Sequence, residues 1–348
     1  MSKICFISVG NLYTIPYIKV YEEIIEEDFD IIYWNRDNIM ENTRAKRKFV
    51  LDKKVNNYFD KICGYLKFAR LSYKTIKNEK YESVIFLSTI AAVLNYKTIK
   101  KLTAQYIIDI RDYTFENNKL FKNLEDKIFK KAKIIIISSP AYRCFLPRHY
   151  HYYELHNVQN INPDKIPTLK NKNQKKVLSY IGTISYIDEN KKIIDYFAND
   201  ERFILKFIGK NSEILKEYCK RKNINNVFFI GKFKPDQILD LYSGTDVIIN
   251  AYGNNNPRLD YALSNKLYFA TKLYLPIIVS KNTYMEKVTA DLGIGLVFNN
   301  NLKDQILSFK MDDNKKEILD NFNKKIIKIN KETREIIREC VAKDAKTY

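Results

Sequence analysis

Residues Asp246 to Val297 read DVIINAYGNNNPRLDYALSNKLYFATKLYLPIIVSKNTYMEKVTADLGIGLV. An apolar run at 247–250 leads into a polar loop. Ser264-Asn265-Lys266 then opens a helical stretch, and a second apolar run follows at 276–280. In an open α/β sheet, ligands bind outside the carboxyl ends of the strands, and a helix N-terminus there favours negative charge. A lysine in that first turn adds a full positive charge. The stretch therefore predicts a site for a nucleoside diphosphate, and with it a transferase.

Outward from this segment the same alternation continues. Apolar runs suited to buried strands lie at 4–9, 30–34, 83–87, 106–110 and 133–138, with amphipathic stretches at 16–27, 55–77, 94–102 and 120–132 between them. It restarts with strands at 177–181, 203–208, 227–230, 246–250, 277–279 and 295–298. Continuous apolar strands alternating with helices indicate parallel, doubly wound sheets. Residues 160–176 carry two prolines and no apolar period, which marks a linker. The expected plan is α/β, with two Rossmann-like domains facing a central cleft. An acceptor-binding domain takes 1–160, a linker 161–176 and a donor-binding domain 177–325. A helical tail at 326–348 would pack back on the first domain.

Composition narrows the function. No apolar run approaches the ~18 residues of a membrane span. The short apolar start is followed by Glu22, Glu23, Glu26, Glu27 and Asp28, so it reads as a first strand rather than a secretory signal. Five scattered cysteines without a CxxC motif argue against a disulfide framework or zinc site and for the cytoplasm. The net charge is +19, and 13 basic against 5 acidic residues lie between Arg36 and Lys80. Such a patch suits an anionic membrane, nucleic acid or phosphorylated substrates.

Several motifs together resemble the GT-B glycosyltransferases, in particular the retaining group called family 4, which includes enzymes of bacterial capsule and O-antigen assembly. Ser264-Asn265-Lys266-Leu267-Tyr268 followed by Pro276-Ile277-Ile278-Val279-Ser280 resembles the family's P-N-K-L-x-E and P-V-I-x-S donor segment. Tyr180-Ile181-Gly182-Thr183 is similar to its Y-x-G-R turn. Phe207-Ile208-Gly209-Lys210 and Phe229-Ile230-Gly231-Lys232 resemble the next two strand-to-glycine turns. In the first half, Asp109-Ile110-Arg111-Asp112 is similar to a D-x-R-D strand end, and His156-Asn157-Val158 to an H-N-V exit strand. Three positions depart from the pattern: Thr183 stands for arginine, Phe269 for the acidic residue, and no glycine precedes Pro276. The resemblance implies a nucleotide-sugar donor, most simply a UDP-sugar. It also implies a lipid-linked or soluble glycan acceptor, retention of configuration, and no metal or cofactor.

Lys266 is the leading candidate for stabilising charge on a departing diphosphate, although a helix-start lysine is also an ordinary solvated residue. Gly182, Thr183, Gly209, Lys210, Ser264, Asn265 and Leu267 share the expected donor site, with Arg258 or Lys192 standing in for the arginine absent at 183. Lys191 and Lys192 also suit a solvent-facing helix. Gly10 would allow close backbone approach, and Phe233 would flank the base or join the core. Asp109 and Asp112 are candidates to contact acceptor hydroxyls or to form an Asp–Arg pair. His156 would contact substrate or sit satisfied in the core. The stretch at 55–77 carries Tyr58, Phe59, Ile62, Leu66, Ala69, Tyr73 and Ile76 at helical spacing, with Tyr65 and lysines between. With Arg44, Lys46, Arg47 and Lys48 it suits an anionic membrane surface, or an ordinary helix covering the sheet. His149 and His151 are too few for a metal site. A non-hydrolysing nucleotide-sugar epimerase of the same form lacks the cleft carboxylates and histidines it needs, and no nucleic-acid-binding motif accompanies the basic charge.

Overall fold

The computed structural model describes residues 3–158 and 175–342. Of the expected linker, only Lys175 and Lys176 fall among the described residues, and Lys176 already opens a strand. The chain divides into two compact units, Met1–Asn157 with Lys328–Tyr348, and Val158–Ile327.

The first unit holds seven strands: β1 (Ile4–Ser8), β2 (Phe29–Asn35), β3 (Arg47–Asp52), β4 (Ser83–Phe86), β5 (Gln105–Ile110), β6 (Ile134–Ile137) and β7 (Tyr153–Glu154). They are ordered β3-β2-β1-β4-β5-β6-β7, and every pairing is parallel. Runs such as ICFIS and IIII are buried along their whole length, as strands covered on both faces must be. β3 was not anticipated. Its sequence, RKFVLD, is charged at both ends and nowhere fully buried, because it is the edge strand and needs only one covered face.

Two long-range anchors complete this unit. The helix Tyr58–Glu79 packs its Gly64 directly on Trp34, where a methyl group would fall 2.0 Å from the indole. From the far end of the chain, Ile337 and Cys340 join the core of the first sheet.

The second unit holds β8 (Lys176–Ile181), β9 (Phe203–Ile208), β10 (Val227–Ile230), β11 (Val247–Asn250), β12 (Ile277–Val279) and β13 (Gly295–Val297). Their order is β10-β9-β8-β11-β12-β13, again all parallel. The order reverses between β8 and β11, the topological switch point at which open α/β sheets take their ligands. The fold class is thus α/β with two doubly wound, parallel sheets.

Candidate functional site

At the second unit's switch point the helix Asn265–Lys272 follows the loop that leaves β11. Ser264 caps it, its hydroxyl accepting from the Lys266 N–H at 3.3 Å. Lys266 turns inward. It is 5 % exposed, and its Nζ donates to the carbonyl of Ile249 in β11 at 3.1 Å. The ammonium lies 3.1 Å from the ring centre of Tyr180 in β8 and 5.1 Å from that of Tyr252. Burial pushes its pKa well below the ordinary lysine value, since a dry site disfavours the charged form. Among the described residues no carboxylate pairs with it. A buried cation carrying only a carbonyl and two aromatic faces is electrostatically incomplete.

The surrounding edge is built for close backbone approach. Gly182 and Gly209 end β8 and β9 with φ of +137° and +140°, values that favour glycine. A side chain on Gly209 would lie 1.9 Å from the Gly182 carbonyl, whereas nothing comes within 4 Å of one on Gly182. Open space therefore stands above Gly182. Nearby, the side-chain oxygen of Asn250, at the end of β11, is buried without a hydrogen-bond partner. The Gly253 N–H donates to Ser280 at 2.8 Å and ties the loops after β11 and β12 together.

The other donor-site candidates lie on this unit with different surroundings. Thr183 and Lys210 are exposed at the strand ends, Asn265 is half-buried and Leu267 is fully buried in the core. Phe233 packs against the apolar cluster around Tyr242 and Tyr268. Arg258 is exposed on the short helix Pro257–Asp260. Lys192 is exposed and Lys191 half-buried over the Tyr218 ring, and they pair with Glu189 at 2.7 Å and Asp188 at 2.9 Å. Gly10 belongs to the first unit, and a methyl group there would meet only Thr14, at 3.6 Å. The protein's own atoms thus impose no close approach at Gly10.

In the first unit the expected catalytic groups are held internally. Asp109 is fully buried, accepts from the Tyr21 hydroxyl at 2.6 Å and pairs with Arg111 at 2.7 Å. Arg111 also lies over the Tyr17 ring and donates to the Leu155 carbonyl. β5 ends at Ile110, so strand alternation does not extend to Asp112, which is exposed on the following loop. His156 is 2 % exposed. Asn330 brackets its backbone, accepting from the N–H at 2.7 Å and donating to the carbonyl at 2.9 Å, while Glu154 faces its ring at 3.3 Å.

The basic run at 44–48 is also spent inside the molecule. Arg44 donates to the carbonyls of Ile25 and Glu26, and Lys46 pairs with Asp28. Arg47 joins buried Asp30 to Glu79, and Lys48 donates to the Glu41 carbonyl. The helix Tyr58–Glu79 covers the β2–β3 side of the sheet with one face and leaves a second apolar stripe in solvent. It buries Gly64, Phe68, Ser72, Thr75 and Ile76, leaving Phe59 73 % and Leu66 61 % exposed, with Ile62 and Tyr73 also in solvent. Tyr65 is half-buried, edge-on to Trp34.

No protein-family model matches this sequence, and none of the curated proteins matches it. Solved structures do. Sucrose-phosphate synthase from Thermosynechococcus elongatus superposes with a TM-score of 0.71 at 11% identity, over 97% of this chain and 99% of that one. A glycosyltransferase from Rickettsia africae gives 0.67 at 14% identity over 100% of both chains. HepE of Anabaena, in complex with UDP, gives 0.66 at 13% identity over 96% and 99%. The fold is GT-B.

Within the GT-B frame, the motif match around Ser264–Lys266 falls at the switch point of the second sheet. Sequence reasoning did not single out Tyr180, Tyr252 or Asn250 as site residues. Tyr180 belongs to the Tyr180–Thr183 turn motif, but periodicity alone does not tell a strand-end tyrosine beneath an ammonium from a core tyrosine. Among the described residues no group of three His, Cys, Asp or Glu side chains is placed to hold a metal. None of their helices is long and apolar enough to cross a membrane.

Proposed function

We propose that this chain is a glycosyltransferase that moves a sugar from a UDP-sugar to a glycan acceptor on a polyprenyl diphosphate, in bacterial surface-polysaccharide assembly. The observation that carries the reading is Lys266, a buried cation without a carboxylate at the β8–β11 switch point. Transfer breaks the bond between the anomeric carbon and a diphosphate oxygen, and negative charge develops on the leaving group. Lys266, aided by the positive end of the helix it opens, neutralises that charge in place of a metal ion. The UDP complex of HepE supports uridine as the base, and the likeness to family 4 supports retention at the anomeric carbon. Proton NMR of the first-formed product reads that outcome.

The helix Tyr58–Glu79 supports work at the inner face of the cell membrane. Its solvent face sets Phe59, Ile62, Leu66 and Tyr73 beside Lys67, Arg70, Lys74 and Lys77, a pattern suited to an anionic leaflet. Co-sedimentation with anionic vesicles should be lost in Leu66→Glu. Thermal shift against nucleoside diphosphates tests the donor site: UDP should stabilise the protein, and Lys266→Ala should abolish the effect. An unchanged UDP shift in that variant removes Lys266 from the mechanism.

A further inference from the structure

Among the described residues, the first unit also holds a cation without a carboxylate partner. Arg36 directly follows β2, at the carboxyl edge of the first sheet, and is half-buried. Its guanidinium carbon lies over Trp34, 4.4 Å from the ring centre, and 5.6 Å from that of Tyr65 on the helix Tyr58–Glu79. Nε is buried with no hydrogen-bond partner. The backbone beneath it is fixed by Asn11, whose side-chain oxygen accepts from the N–H groups of Arg36 at 2.9 Å and Asp37 at 3.2 Å.

The carboxylates around this edge are committed elsewhere. Asp37 accepts from the Tyr13 hydroxyl at 2.5 Å. Glu41 accepts from the Asn11 side chain and the Tyr13 N–H, and Asp52 from Asn35 at 2.8 Å. Other arginines of the unit have taken partners: Arg47 holds Asp30 and Glu79, Arg111 holds Asp109, and Arg143 holds Glu154. Arg36 instead keeps its guanidinium over the Trp34 ring, and a guanidinium's N–H donors bind phosphate oxygens in pairs. Its supporting Tyr65 sits on the helix whose outer face is apolar and basic, and the loop after Arg36 leaves Ile39 and Met40 exposed.

We infer that Arg36, held between the Trp34 and Tyr65 rings, is a phosphate-recognition site for the acceptor. This rests on the glycosyltransferase reading and names the acceptor as a phosphorylated molecule, with the apolar surfaces on either side taking its lipid. The ring stack removes the entropy cost of aligning the guanidinium, so binding goes into the anion.

Trp34 is the single tryptophan of the chain and lies under Arg36, so its fluorescence reports on this site. Protein saturated with UDP is titrated with inorganic pyrophosphate, with polyprenyl diphosphate in phosphatidylcholine vesicles, and with phosphatidylcholine vesicles alone. A saturable change with both phosphates and none with plain vesicles is expected. Polyprenyl diphosphate should bind more tightly, which identifies a lipid-borne source; equal affinities identify a soluble phosphate at the same site. Arg36→Gln should weaken both titrations by about tenfold or more, and Arg36→Lys by less, while the UDP thermal shift stays at its native value in each. No saturable signal, or native affinity in Arg36→Gln, overturns the proposal. Loss of the UDP shift in the unaltered protein would overturn the donor assignment and leave the pyrophosphate titration to judge Arg36 separately.

Discussion

Asp109 in the first unit and Lys266 in the second are both shielded from water, but their surroundings differ. Asp109 meets a guanidinium and a tyrosine hydroxyl, and Asp30 on β2 likewise meets Arg47 and the Tyr81 hydroxyl. These are closed sets: each charge is answered within the fold. Among the described residues Lys266 meets a carbonyl and two aromatic rings but no anion. A closed set holds structure together, whereas an open one leaves an interaction for a ligand to complete.

The largest effect that separates the two cases is on stability. Asp109→Ala leaves Arg111 buried and uncompensated and should cost about 3–5 kcal/mol in denaturant unfolding. An Asp109→Ala protein of native stability but no activity would instead make Asp109 a reacting group. Lys266→Met is expected to behave in the opposite way. Removing an unanswered buried charge should leave the ligand-free protein as stable as before, or more stable by about 1 kcal/mol, while UDP no longer raises its melting temperature. A loss of several kcal/mol without ligand would show that Lys266 belongs to a closed set after all.

Glu125 refines the contrast, because it is a fully buried carboxylate in the first unit whose two oxygens have no hydrogen-bond partner. Burial, then the nearby charge of Glu116, lifts its pKa from the ordinary 4.5 to about 8. This site answers its charge by keeping a proton. Its contribution is complete below 4.5, where the folded and unfolded chains are both protonated, and is lost as pH climbs to about 8. Glu125→Gln should therefore flatten the stability profile over that range, raising the melting temperature at pH 8 by about 2–4 °C per kcal/mol recovered. A profile unchanged by the substitution would refute the assignment. The smallest effect belongs to Lys192, which is 61% exposed beside Glu189. Lys192→Ala should shift stability by less than about 0.5 kcal/mol and leave the UDP shift intact; a lost UDP shift would move it into the donor site.

The parallel sheets were legible because strands such as IIII at 134–137 are covered on both faces and must be apolar throughout. Lys266 was legible because serine, asparagine and lysine at a helix start, between two apolar strands, have a consistent physical use. What stayed hidden was decided by distant partners. Arg47 reads as part of a basic patch until β3 forms and brings it against Asp30 and Glu79. The helix Tyr58–Glu79 shows a clear apolar stripe, but periodicity does not say which stripe faces inward. Here Gly64 against the Trp34 ring decides it, because only the side carrying glycine and small hydroxyl residues can approach so closely. Asp112 lies past the end of β5, on a loop whose course the apolar run of the strand does not set.

The bracket that Asn330 forms around His156, together with Ile337 and Cys340 in the first sheet's core, has a consequence for biogenesis. A chain emerging from the ribosome exposes the whole of the first sheet long before residues 328–342 are made. Until then, that sheet lacks part of its covering and keeps apolar surface open to chaperones or to misassembly. Completion of the amino-terminal unit therefore waits on residues 328–342, and a message cut short after residue 327 would leave that unit without part of its core.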